Sequence, residues 1–256
     1  MIESRIIKLF NKIGILSIPI LLFLLACVAK TDDDIHSIRF VISLDSFIGK
    51  ERHFITITDS VDVYSYKTYK IYCSPWVHDS VKIENDTMRR ITSKKMRAYL
   101  IANAGDEKGY WYDDFSVNNP FVANVDSLLT NRFAKNFPFY IEGNQKLINK
   151  TTQNSIDIET YVCVAKKDRS YYDTLTYYFD QRLKNAPYAI SPFLDSTRNS
   201  KLSKVNMVYN PQPADEKGPA TPRRGYRFEL KPIKDVEEEK KAIALVERFI
   251  AAQSKK

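Results

Sequence analysis

The chain has 256 residues, 44% apolar and 27% charged, a composition that excludes wholesale disorder and gives enough length to bury one large core. Only seven glycines are present, which argues against glycine-rich phosphate loops. The formal charge of +8 is interleaved with acids rather than gathered into a basic stripe, so a mixed solvated surface is expected and nucleic acid is not an expected partner.

The first element reads as a targeting segment. Arg5, Lys8 and Lys12 precede an apolar run from Ile13 to Ala26, interrupted only by Gly14, Ser17 and Pro19. A run of this length fits the ~7–15 apolar residues of a signal peptide better than the ~20 of a spanning helix, with an uncleaved anchor as the alternative. It ends in Leu24-Leu25-Ala26-Cys27. These four residues resemble the lipobox of bacterial lipoprotein signal peptides. The resemblance implies cleavage between Ala26 and Cys27, diacylglycerol on the Cys27 thiol and acylation of the new amine. Two or more acyl chains make a stable anchor where one is marginal. Leu25 is a less usual residue at its place in that motif.

Valine, not aspartate, follows Cys27. In enterobacterial lipoproteins aspartate there signals inner-membrane retention, so the resemblance implies the outer membrane, on its periplasmic side or at the cell surface. Thr31-Asp32-Asp33-Asp34 resembles the acidic export tract of surface lipoproteins of Bacteroidota; a plain solvated tether reads equally well. Residues 1–26 are therefore expected to be a signal peptide, 27–36 a lipidated N-terminus with an acidic tether, and 37–256 a single β-rich domain.

From Ser37 the pattern alternates with period two. "IRFVIS", "HFITITDS", "VDVYSYKTYKIYC" and "DSVKIEN" read as successive short strands, the last beginning after an Asp-Ser turn. Residues 88–100 admit a helix, but "RAYLIANA" and "YWYDDFSV" flank the turn residues of "GDEKG", which favours a hairpin over 97–117. Asn124 to Asn136 reads as a helix capped by Asn124. "FPFYIEGNQKLINKT" reads as a hairpin around Glu142-Gly143-Asn144, and "SIDIETYVCVAKKD" and "YYDTLTYYFDQRL" as strands joined around Asp168-Arg169-Ser170. "LSKVNMVYN" and "YRFELKPI" follow, separated by a proline-bearing loop. An amphipathic helix over about 233–253 closes the chain, with an apolar stripe of Val236, Ile243, Val246, Phe249 and Ile250 and a Glu237–Lys241 pair. Short β segments with brief turns pair antiparallel, so the expected class is α+β: mostly antiparallel sheet, one middle helix and one C-terminal amphipathic helix.

Cys73 and Cys163 lie in strand-like surroundings; an envelope compartment permits a disulfide between them, and two packed free thiols are the alternative. His36, His53 and His78 show no metal-ligand spacing, so no metal and no cofactor are expected. Asp followed by Ser or Thr recurs, placing hydroxyls at Ser60, Ser80, Thr87, Ser127, Thr174 and Ser196. This is similar to the O-glycosylation acceptor of exported Bacteroidota proteins. The same pairs also serve as turn and helix caps.

No nucleophile elbow, zinc helix or phosphate loop occurs. Asp113 and Asp114 sit beside Tyr110, Trp111 and Tyr112, yet adjacent strand residues face opposite ways and cannot flank one glycosidic bond. No catalytic residue is assigned. Arg223, Arg224 and Arg227 near Tyr226 read as a solvated strand entrance. The expected function is a lipid-anchored envelope protein acting as a non-catalytic binding or accessory module for a protein, glycan or cell-wall partner. The alternatives are an anchored hydrolase or a purely structural component.

Overall fold

The computed structural model describes residues 35–48, 53–84, 87–133, 144–164, 171–214 and 220–254. Among these residues, eleven strands form one antiparallel sheet. They are β1 (His36–Ile48), β2 (His53–Tyr66), β3 (Tyr69–Glu84), β4 (Thr87–Asn103), β5 (Lys108–Tyr112), β6 (Phe121–Asn124), β7 (Gln145–Gln153), β8 (Ile156–Cys163), β9 (Thr174–Asp180), β10 (Lys201–Tyr209) and β11 (Arg224–Lys231). Among the described residues three α-helices accompany them: α1 (Val125–Phe133), α2 (Pro192–Arg198) and α3 (Val236–Gln253). The spatial order is β6-β5-β4-β3-β2-β1-β11-β10-β9-β8-β7. Each half is a meander of sequential neighbours, and the β1–β11 ladder is the seam between them.

The strand expectations map onto this sheet with two corrections. Asp79-Ser80 does not make a turn: β3 runs through it, and the register shifts by a bulge between Ser80 and Val81. Conversely, "VDVYSYKTYKIYC" is interrupted by a two-residue turn at Lys67 and Thr68, with Lys67 at φ 54°. The 97–117 region contains the β4–β5 hairpin, as the turn residues suggest. The other half of the hairpin expected around residue 143, and the junction at 168–170, lie outside the described residues.

Period-two alternation gives the sheet two faces, and both carry cores. The larger cluster includes Tyr72, Leu100 and Trp111 from one half and Leu175, Tyr177 and Leu202 from the other. One core shared across so wide a sheet requires the sheet to coil around it. Tyr188, Ile190, Leu194, Val125 and Leu129 fill this inner face; Tyr188 packs on Phe40 with ring centroids 4.9 Å apart. The outer face of β2–β5 carries Tyr64, Ile71, Cys73, Tyr99 and Ile101 under α3.

Helix α1 is capped as expected: Asn124 Oδ1 accepts from the Ser127 amide at 2.7 Å. Helix α2 was not anticipated. Its start is a short-range signal, Ser191 capping and Pro192 at the first position, and Asn199 closes it at φ 47°. Helix α3 begins at Val236 rather than 233, because Asp235 caps it by accepting from the Glu238 amide at 3.1 Å. Its buried stripe is Ala242, Leu245, Val246 and Phe249, whereas Val236 is exposed. The expected Glu237–Lys241 pair is replaced by two i,i+3 pairs, Lys240–Glu237 at 2.9 Å and Lys241–Glu238 at 2.8 Å.

Glu238 continues the buried stripe of α3 with a charge. It meets Arg97 at 3.0 Å; Arg97 lies 3.5 Å from Asp62, and Asp62 accepts two bonds from Arg39 at 2.6 and 2.9 Å. This ladder fixes the N-terminal half of α3 on the sheet, since a carboxylate taken from water needs paired donors.

Candidate functional site

At one end of the inner face the β4–β5 turn, α1 and the 187–192 segment leave a cavity of about 400 Å³. Its walls are Tyr72 from β3, Ala102 from β4, Val125 and Leu129 from α1, and Tyr188 with its flanking residues. Tyr72, Ala102, Val125, Leu129 and Tyr188 are all buried. An apolar hollow of this size with a few polar groups at its edge is the usual form of a small-molecule site.

The polar edge consists of Lys70, Asn103, Asp106, Glu107 and Asp126. Backbone bonds hold it in place. The Ala104 amide donates to Thr68 O at 3.0 Å, tying the two turns together, and the Val125 amide donates to Glu107 O at 2.9 Å, tying the turn to the start of α1. Gly105, at φ 96°, supplies the left-handed residue that the turn requires. Gly109 is fixed for a different reason: a Cβ there would meet Ile101 O and Leu100 Cδ1 at 2.8 Å each.

Both tyrosines stay neutral phenols. Burial pushes Tyr72 up to about 12, with the Asp126 charge adding to it. Tyr188 is raised by burial and by Tyr72. They therefore offer aromatic surface and hydroxyl groups, not charge.

A second hollow of about 790 Å³ lies on β8–β11, on the sheet face opposite the larger core, lined by Ile156, Ile158, Tyr178, Lys204 and Glu229 among others. Its charges are already engaged: Arg182 pairs with Asp180 at 2.7 Å, and Lys204 lies over the Tyr178 ring at 5.0 Å. It is a trough with satisfied charges, and the first cavity is the better built site.

The residues singled out in the sequence do not converge on either hollow. Cys27 lies outside the described residues. Cys73 and Cys163 are free thiols. Cys73 sits on β3 beneath α3 and Cys163 on β8 against the opposite core, with five strands between them in the sheet. A disulfide needs Cα atoms within about 7 Å and facing Cβ atoms, and two opposite faces do not supply that.

The six Asp-Ser and Asp-Thr hydroxyls occupy strands and helices rather than loops: Ser60 on β2, Ser80 on β3, Thr87 and Thr174 at the starts of β4 and β9, Ser127 on α1 and Ser196 on α2. Ser127 and Ser196 are exposed. Several of the preceding aspartates make local bonds; Asp173 accepts from the Asn210 amide at 2.6 Å and Asp195 from the Leu202 amide at 2.7 Å. Asp113 accepts from the Trp111 indole at 2.8 Å and Asp114 from the Ser116 amide at 3.0 Å, so both serve the bend after β5. Arg224 stacks on Tyr209, 4.6 Å from its centroid.

Sequence reasoning missed Tyr72, Ala102, Asp106, Glu107 and Tyr188 as a set. Their only local signal was the turn chemistry of "GDEKG". Among the described residues no group of three or more His, Cys, Asp or Glu could hold a metal ion, and no helix is long and apolar enough to cross a membrane.

No protein-family model matches the chain, and no curated protein matches it. Among solved structures it is similar to a LolA superfamily protein from Nitrosomonas europaea, at 13% identity and a TM-score of 0.24, over 79% of this chain and 87% of that one. It is similar also to a domain assigned to outer membrane lipoprotein sorting from Vibrio parahaemolyticus, at 9% identity and a TM-score of 0.22, over 82% of this chain and 90% of that one. At TM-scores of this size neither protein lends this chain a role.

Proposed function

We propose that the chain is a lipid-anchored protein of the bacterial cell envelope whose β-rich domain binds a partner without transforming it, and that the cavity beside Tyr72 and Tyr188 is where it binds. The observation that carries the binding reading is the cavity itself: about 400 Å³, apolar inside, with its polar residues held at one edge by backbone bonds. A rigid wall costs less entropy on binding than one that must be ordered. The anchor rests on Leu24-Leu25-Ala26-Cys27, and outer-membrane placement on Val28 after the lipid cysteine. Exposed Ser127 and Ser196 are the favoured hydroxyls for O-glycosylation.

Two experiments test this. Metabolic labelling with a fatty-acid analogue should mark the wild-type chain and not Cys27→Ser, which should also leave the membrane fraction; label retained by Cys27→Ser removes the anchor. For the binding site, small molecules with an apolar body should raise the melting temperature, since a ligand that binds only the folded state stabilises it. Ala189→Phe, which fills the hollow from its lining, should abolish that rise. A rise unaffected by Ala189→Phe places binding elsewhere.

A further inference from the structure

We infer that the cavity selects a cationic amphiphile: a small ligand with an apolar, ring-sized body and a protonated amine. This rests on the binding role proposed for the cavity and adds the charge and shape of what enters it.

The interior and the edge make separate demands. Inside, Tyr72 and Tyr188 are each 6% exposed and Leu129 is 4% exposed, so these walls are largely apolar and aromatic. A hydrophobic body gains by replacing water against them, and tyrosine faces accept an aromatic ring or an alkyl chain. At the edge, three carboxylates, Asp106, Glu107 and Asp126, stand against one ammonium, Lys70. The carboxylates come from two different elements and are brought to the same side because Val125, the residue before Asp126, donates its amide to Glu107 O. No side-chain bond to Asp106 or Glu107 is formed among the described residues, and both are exposed. A ligand amine at the edge meets Asp106 and Glu107 without first breaking an internal ion pair. A ligand carboxylate would meet the same field as repulsion. The tyrosine faces add to the preference, since an aromatic ring attracts a cation and not an anion.

The region is held by turns rather than long loops, so the preference is built in. Lys67 and Gly105 take the left-handed conformations of the two turns beneath the edge, and the Ala104–Thr68 bond joins them. The second hollow lacks this asymmetry, with Asp180 and Glu229 balanced by Arg182 and Lys204.

The test uses three probes of matched shape: 4-phenylbutylamine, 4-phenylbutanol and 4-phenylbutyrate, titrated by calorimetry into the folded domain at pH 7. The amine should bind most tightly and the carboxylate least. Its affinity should fall with added salt while that of the alcohol should not. Asp106→Asn with Glu107→Gln, at two exposed positions that leave the walls intact, should weaken the amine about fivefold and leave the alcohol unchanged. Equal binding of amine and alcohol, both blocked by Ala189→Phe, would overturn the cationic preference and keep the cavity as a binding site. Failure of all three probes to bind would overturn both.

Discussion

Arg198, at the end of α2, donates to Glu159 of β8 at 2.9 Å and so ties a helix to the inner face of the sheet. Glu159 is 2% exposed, and it also accepts from the Tyr161 hydroxyl at 2.7 Å and pairs with Lys150 at 3.1 Å. Burial alone would raise its pKa; the bonds from Tyr161 and Lys150 and the Arg198 and Lys150 charges outweigh that and hold it below the usual carboxylate range. The folded state therefore binds its proton less readily than the unfolded state. Its stabilisation is present above an unfolded carboxylate pKa of about 4.3, and is lost as pH falls through the lower folded value. Glu159→Gln should cost about 1–3 kcal/mol at pH 7, below the ~3–5 kcal/mol of a fully buried broken pair because its cationic partners are half exposed. Melting curves from pH 7 to pH 3 should show the gap to wild type narrowing as the solution becomes acid. A constant gap would mean that Glu159 acts by packing.

The two domain cysteines should differ in reactivity. Burial pushes the Cys73 thiol up to about 12, and the side chain is 1% exposed beneath α3. At pH 8 its thiolate is about one part in ten thousand, and the thiolate is the reactive form. Cys163 is half-buried. In a Cys27→Ser chain, a maleimide should label Cys163 first and Cys73 only after denaturant is added. Fast native labelling of Cys73 would show α3 lifting from the sheet.

Two glycines should respond differently to alanine. At Gly109 the new methyl collides with backbone as well as a side chain, so Gly109→Ala should cost about 2–3 kcal/mol and shift the β4–β5 pairing. At Gly105 no atom lies within 4 Å, and only the positive φ resists substitution. Gly105→Ala should cost about 1 kcal/mol. Thermal denaturation of the two variants orders them; a larger loss at Gly105 would contradict the close approach at Gly109.

Helix α3 makes contact along most of the stripe that the sequence suggests, but not at its first residue, Val236. Leu245 is 0% exposed and Val236 is 59% exposed. Leu245→Ala should cost about 2–5 kcal/mol and Val236→Ala less than about 0.5. Asp235→Ala, which removes the cap, should fall between them at about 1 kcal/mol. Denaturant midpoints measure all three.

Strands whose burial alternates, such as β1 with Ile38 and Phe40 buried and Arg39 half-buried between them, were legible by alternation. The β2–β3 turn was not, because both faces of these strands are covered. Val61 and Val63 point to one core and Tyr64 and Tyr66 to the other, so apolar residues recur on both sides of Lys67-Thr68 and mask the turn. The expected α3 stripe holds at Val246 and Phe249, which are buried, and at Ile243 and Ile250, which pack against that core, but not at Val236; near its start the contact is made instead by Glu238, a half-buried charge whose partner Arg97 lies 141 positions earlier. The cavity was illegible because its walls come from segments brought together only by folding, none of which carries a recognisable motif.

The seam between β1 and β11 has a consequence for how the molecule is made. Arg39 pairs with Lys231, so a central ladder of the sheet joins the two extremes of the domain. Each meander can form from local hairpins, but the bare flank of β1 must wait for nearly the whole chain to emerge. Until then the nascent protein displays a long unsatisfied strand beside its half-formed core, a template for pairing with any other extended chain. Folding of the sheet is therefore completed only when β11, which follows ten other strands in the chain, pairs along that flank.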